Sequence, residues 1–148
     1  MPPWLQVYII GEVGIEEELA KLGIAYLGGP ADNGKVPEMG KGCKVHHDPD
    51  VAAVVVGFDR DVNYYKMQYA TLCIRENPGC EFIATNLDAV THLTDAQEWA
   101  GNGAMVRSDA LLHRRDLIRT TQLSVADHLT THTHSQLRRR LCLAPSRT

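Results

Sequence analysis

Nothing in this chain marks a membrane, secreted or fibrous protein. Across its 148 residues no apolar run approaches the roughly 20 residues needed to cross a bilayer. Residues 1–10, MPPWLQVYII, lack the basic start and small-residue cleavage site of a secretory signal, and the Arg and Ser of a transit peptide. The four cysteines, Cys43, Cys73, Cys80 and Cys142, form no CxxC pair. Disulfide frameworks belong to short secreted chains, so the thiols are read as unlinked and the setting as intracellular. Lysine is missing after Lys66, and residues 107–148 contain no Lys, Glu, Gly or aromatic residue. What is present is ordinary: 44% of residues are hydrophobic and 22% charged, which suits a folded globular domain. The length suits one domain and is short for two.

The formal net charge of -3 hides a division. Residues 1–106 carry 7 Lys+Arg against 15 Asp+Glu, whereas residues 107–148 carry 8 Arg against 3 Asp and four of the seven His. A break this abrupt divides the chain into a folded part, 1–106, and a divergent Arg- and His-rich tail, 107–148, predicted to be irregular and outside the fold.

Within 1–106 short β-branched runs alternate with helical periodicity. Val7–Ile10 is a predicted strand. Gly11 and Gly14 then turn the chain into a helix over about 15–22, with Ile15, Leu19 and Leu22 on one face and Gly23 as its stop. Ala25–Leu27 is a short strand, and Gly28–Asp50, rich in Gly, Pro, Asn and Asp, is a long loop. Ala52–Phe58 is a near-continuous apolar run of the kind buried on both faces of a parallel sheet. A helix over about 63–77 follows, with Tyr65, Tyr69, Leu72 and Cys73 on one face, and Pro78-Gly79 ends it. Glu81–Ala84 is the next strand. This order predicts an α/β fold with a mainly parallel sheet and crossover helices, in which ligands bind at the C-terminal ends of the strands. Thr85-Asn86 stand at one such end.

From Ala52 to Asn86 the order is an apolar strand, Asp59-Arg60-Asp61, a helix, another strand, then Thr85-Asn86. It resembles the core of an aspartate-based phosphatase, in which one Asp attacks phosphorus, a second is general acid and base, and a Thr binds the phosphoryl group. Such chemistry also needs a Lys against the phosphate and a later acidic cluster for Mg²⁺. After Asn86 there is no Lys and no Gly-Asp-x-x-x-Asp pattern. A self-contained small phosphatase using Asp59 and Asp61 is therefore carried as an alternative.

A fuller match runs through Val7–Glu12, Val54–Arg60, Tyr64-Tyr65-Lys66, Cys73–Cys80 and Phe82–Val106, including Thr91–Gly101, THLTDAQEWAG. Together these resemble the phosphoglycolate phosphatase and 4-nitrophenylphosphatase branch of the haloacid-dehalogenase superfamily, in its plant and green-algal form. The resemblance covers about residues 6–106 and implies the large α/β cap domain that closes over the active site. On that alignment Asp59-Arg60 end a cap strand, and Thr85-Asn86-Leu87-Asp88 is the cap's TN-x-D motif. Thr85, Asn86 and Asp88, with His92 in the following loop, are then substrate-facing, and no catalytic or metal-binding residue is assigned. The nucleophile, the phosphate-binding Lys and the Mg²⁺ ligands of the intact enzyme would lie outside this chain. A truncated gene model with an out-of-frame tail, or a splice variant, would have this form. The implied reaction of the intact enzyme is Mg²⁺-dependent hydrolysis of 2-phosphoglycolate, or a similar small phosphorylated metabolite, in photorespiration. The compartment is chloroplast or cytoplasm, with no nucleic-acid or membrane partner, and homodimerisation through the cap is an expectation. The chain alone should not turn over. The competing reading is a non-catalytic binding or regulatory module.

Other signals are weaker. Asn86 and Asp88 could simply close an Asx turn, and Trp99 could pack at an edge. Gly11–Gly14 suits a structural turn better than a phosphate site, because Glu12 and Glu16–Glu18 would repel an anion. His46-His47-Asp48 and His128, His132 and His134 lack a convincing fourth metal ligand. Arg138–Arg140 is read as a solvated basic cluster.

Overall fold

The structure is a computed structural model that describes residues 6–107 and the strand at 118–120. Its centre is a five-stranded parallel sheet in the order β2-β1-β3-β4-β7. The strands are β1 (Gln6–Ile10), β2 (Ala25–Gly28), β3 (Val51–Val56), β4 (Glu81–Ala84) and β7 (Ile118–Thr120). Helix α1 (Val13–Lys21) links β1 to β2, and α2 (Tyr64–Glu76) links β3 to β4. The parallel α/β reading of the sequence is therefore correct.

Strand β3 is apolar throughout, and β1 and β4 are apolar after Gln6 and Glu81, because both faces of the sheet are covered there. Side chains alternate across a strand, so Val7, Ile9, Ala53, Val55 and Ile83 pack with Leu19 and Ile15 of α1. Tyr8, Ile10, Val54, Val56, Phe82 and Ala84 pack with Tyr69, Ala70, Cys73 and Ile74 of α2. The inner face of α2 is thus Lys66, Tyr69, Ala70, Cys73 and Ile74. Leu72, expected on that face, is only partly buried. Lys66 takes an inner place that no apolar pattern would give it.

Asn63 caps α2 by accepting a hydrogen bond from the Lys66 amide at 3.0 Å. At the other end Asn77 donates to the carbonyls of Asp48 and Val51 and meets His47 Nε2 at 3.0 Å. That contact anchors the end of the long loop, whose start is a 3-10 turn at Gly29–Asp32. There Asp32 accepts from the Tyr8 hydroxyl at 2.7 Å and from Lys35.

Beyond β4 the structure adds elements that the periodicity did not show. A two-stranded antiparallel hairpin pairs β5 (Val90–Thr91) with β6 (Trp99–Ala100), and a short helix α3 (Asn102–Val106) follows. Strand β7 lies within the Arg- and His-rich stretch that composition placed outside the fold. Its three residues nevertheless pair with Phe82, Ile83 and Ala84 of β4. An edge strand needs only backbone donors and acceptors, and composition is blind to those. The histidines at 128–134 and the arginines at 138–140 lie outside the described residues. No described helix is long and apolar enough to cross a membrane.

Candidate functional site

Three adjacent strands of a parallel sheet end together, and the loops that follow them make one rim. Gly57 donates its amide to the Ile10 carbonyl at 2.8 Å, and Thr85 donates to Val56 at 3.0 Å. These bonds hold the ends of β1, β3 and β4 level. The rim residues are Gly11-Glu12, Gly57–Asp61 and Thr85–Asp88.

Glu12 and Arg60 tie the first two loops together. The guanidinium donates to the two carboxylate oxygens at 2.6 and 3.1 Å. These bonds hold the Glu12 carboxyl below its usual range and push the Arg60 guanidinium up. Glu12 is thus a partner for Arg60, in a turn with a structural role.

Asp59 turns inward. One carboxylate oxygen accepts from Lys66 Nζ at 2.7 Å and the other from the Asp61 amide at 2.9 Å. Asp59 is 2% exposed and Lys66 fully buried. Lys66 also donates to Asn33, whose amide reaches Asp61 at 3.1 Å. An attacking carboxylate must bring a free oxygen to phosphorus. Both oxygens of Asp59 are engaged and closed off from solvent, so this geometry opposes its use as a nucleophile. The Asp61 carboxylate, on the surface, accepts from Asn33 rather than meeting the Asp59 side chain.

The Thr85–Asp88 loop has the opposite character. Asn86 Oδ1 accepts from the Asp88 amide at 3.1 Å, the Asx turn that the sequence allowed. The Asp88 carboxylate is exposed and has no partner among the described residues. Thr85 Oγ1 accepts from Asn102 Nδ2 at 3.2 Å, which leaves its hydroxyl proton free to donate. The loop therefore offers a hydroxyl donor, an amide donor from Asn86 and a free carboxylate. His92 stands apart in the hairpin, 72% exposed, with Nε2 3.9 Å from Glu98. Among the described residues no hydrogen bond or ion pair joins it to Thr85, Asn86 or Asp88. Trp99, also in the hairpin, donates to Thr94 Oγ1 at 3.1 Å and keeps much of its ring exposed.

Two residues at this rim escape a reading of the sequence. Lys66 looks like an exposed helical lysine, although its spacing of seven from Asp59 is a weak hint. Asn102 is 98% buried between Gly101 and Gly103, and the Gly-Asn-Gly triplet is its only trace. Among the described residues no three His, Cys, Asp or Glu side chains are placed to hold a metal ion.

No family model matches the chain. Phosphoglycolate phosphatase 1A, chloroplastic, of Arabidopsis thaliana is 67% identical over 101 residues, which are 68% of this chain and 28% of that relative. The thermostable NPPase of Geobacillus stearothermophilus, solved as a double mutant, superposes with a TM-score of 0.53 at 28% identity, over 78% of this chain and 35% of its own. A glycerol phosphate phosphatase from Mycobacterium tuberculosis, solved with magnesium, shares the fold with a TM-score of 0.56 at 21% identity, over 92% of this chain and 36% of its own. The chain spans about a third of the length of these relatives, or less.

Proposed function

From its membership of the phosphoglycolate phosphatase and 4-nitrophenylphosphatase branch of the haloacid-dehalogenase superfamily, we propose that the chain is the substrate-selecting cap of a phosphomonoester hydrolase. The substrate class is small phosphorylated metabolites, with 2-phosphoglycolate as the first candidate on the strength of the Arabidopsis relative. The observation that carries this reading is the contrast at the rim. Asp59 is locked to Lys66, while Thr85, Asn86 and Asp88 present free polar groups at the strand ends.

In such an enzyme the cap closes over the catalytic core and excludes water. The hydroxyl of Thr85 and the amide of Asn86 donate to oxygens of the substrate's leaving group. The exposed Asp88 carboxylate adds an acceptor at the same rim. His92 joins this set only if closure brings the hairpin inward. The family resemblance implies Mg²⁺ for hydrolysis in the intact enzyme. The described residues do not fit that ion, since Asp59 is taken up by Lys66 and no acidic cluster stands near it, so no step here runs through the metal. A homodimer through the cap is part of the same proposal, and the chloroplast is the compartment to test first.

The test is a phosphatase assay on the purified chain with Mg²⁺ and 2-phosphoglycolate. The expected result is no turnover above buffer. Turnover abolished by Asp59→Asn would overturn the cap reading and establish the self-contained phosphatase. Transcript sequence across codons 100–115, and upstream of codon 1, is expected to recover an in-frame catalytic core on both sides.

A further inference from the structure

Residues Gly101, Asn102 and Gly103 lie directly under the Thr85–Ala89 loop, and every polar contact between the two segments runs from the triplet to the loop or to the strand beside it. Gly101 donates its amide to the Ala89 carbonyl at 2.9 Å, and Gly103 donates to Asp88 at 2.8 Å. Between them, Asn102 Nδ2 donates to the Asn86 carbonyl at 2.9 Å, to Thr85 Oγ1 at 3.2 Å and to the Val56 carbonyl at 3.4 Å. Two of these three acceptors are carbonyls, so the amide nitrogen must face the loop. The Asn102 side-chain oxygen is left buried without a partner among the described residues.

The glycines are there for space. Neither has a positive φ, yet a Cβ on Gly101 would run into the Asp88 carbonyl, and one on Gly103 into the Leu87 carbonyl. Backbone on backbone leaves no flexible side chain to give way. A buried carbonyl without a partner is costly, and Asn102 carries that cost alongside the bonds its amide makes.

From this we infer that Gly101-Asn102-Gly103 is a clasp that sets the shape of the Thr85–Ala89 loop, with Asn102 as the positioning residue for Thr85, Asn86 and Asp88. The clasp stands on the geometry alone. Its bearing on substrate selection rests on the cap reading above. A preorganised donor set binds without the cost of ordering a loop, so loosening the clasp weakens recognition while the sheet beneath stays folded.

Amide exchange by NMR on the full chain tests it, with Ile83 and Val55 in the sheet as internal reference. In Asn102→Ala the amides of Asp88, Gly101 and Gly103 exchange about tenfold faster, as loss of one hydrogen bond predicts, and the sheet amides do not change. Asn102→Asp keeps the size but turns a carboxylate oxygen on two carbonyls, and it loosens the loop at least as much. Gly103→Ala keeps Asn102, displaces Leu87 and gives the same pattern. Wild-type exchange in Asn102→Asp, or loss of the whole fold in both Asn102→Ala and Gly103→Ala, overturns the clasp. A titration with 2-phosphoglycolate separates the two claims. Shifts at Asn86 and Asp88 that weaken in Asn102→Ala support both. No shift in the wild-type chain, with the exchange pattern intact, overturns the substrate-facing reading and leaves the clasp standing.

Discussion

Lys66 and Asp59 form a buried ion pair beneath the rim, with Nζ 2.7 Å from the carboxylate. A charged lysine inside a small domain persists only if it is paired and hydrogen-bonded, and Lys66 donates to Asp59 and Asn33. The lysine occupies one Asp59 oxygen, and the Asp61 amide occupies the other. Removing one partner leaves an uncompensated buried charge, so Lys66→Met is expected to cost about 3–5 kcal/mol in urea unfolding. Asp59→Asn added to Lys66→Met should lose less than the two singles together, because the coupled charges then disappear as a pair. Additive losses would show that the two groups do not depend on one another.

At the scale of elements, the rim depends on how closely the strand ends and helix α1 approach. A Cβ on Gly57 would lie 2.6 Å from Ile15 Cδ1, and one on Gly11 would lie 2.5 Å from the same atom. Ile15 thus covers the ends of β1 and β3, where the glycine after each strand leaves it room. Gly57→Ala is expected to destabilise the chain by roughly 1–3 kcal/mol through overpacking. Ile15→Val, which shortens the offending side chain, should relieve part of that loss in the double variant. Chemical denaturation of the four chains decides it, and equal losses with and without Ile15→Val would place the strain elsewhere. The hairpin of β5 and β6 carries no such burden. Val90, Leu93 and Trp99 are exposed there, and its attachment to the sheet passes through Gly101-Asn102-Gly103.

For the whole molecule, the covered sheet gives a titration signature. Burial pushes the Cys73 thiol up to about 12, and burial also raises the hydroxyls of Tyr8, beside Asp32, and Tyr69. All three are acids whose folded form resists ionisation. The unfolded chain therefore releases protons that the folded chain retains, and stability falls as pH rises above the ordinary thiol value of 9.0 toward 12. Melting curves at pH 8, 9.5 and 11 check this, with Cys73→Ala flattening part of the slope; an unchanged slope would remove Cys73 as a cause. The sequence by itself determined the parallel α/β arrangement, because Val54-Val55-Val56 and Val7–Ile10 are apolar at successive positions and can be buried only between two layers. It also determined the kinship, through motifs that keep their order along the chain. Only the tertiary structure decided which polar residues meet. Lys66 against Asp59 and Asn102 against Thr85 are contacts across a sheet or between loops, with no period for a sequence to carry, and the pairing of Ile118–Thr120 with β4 uses backbone groups that every residue shares.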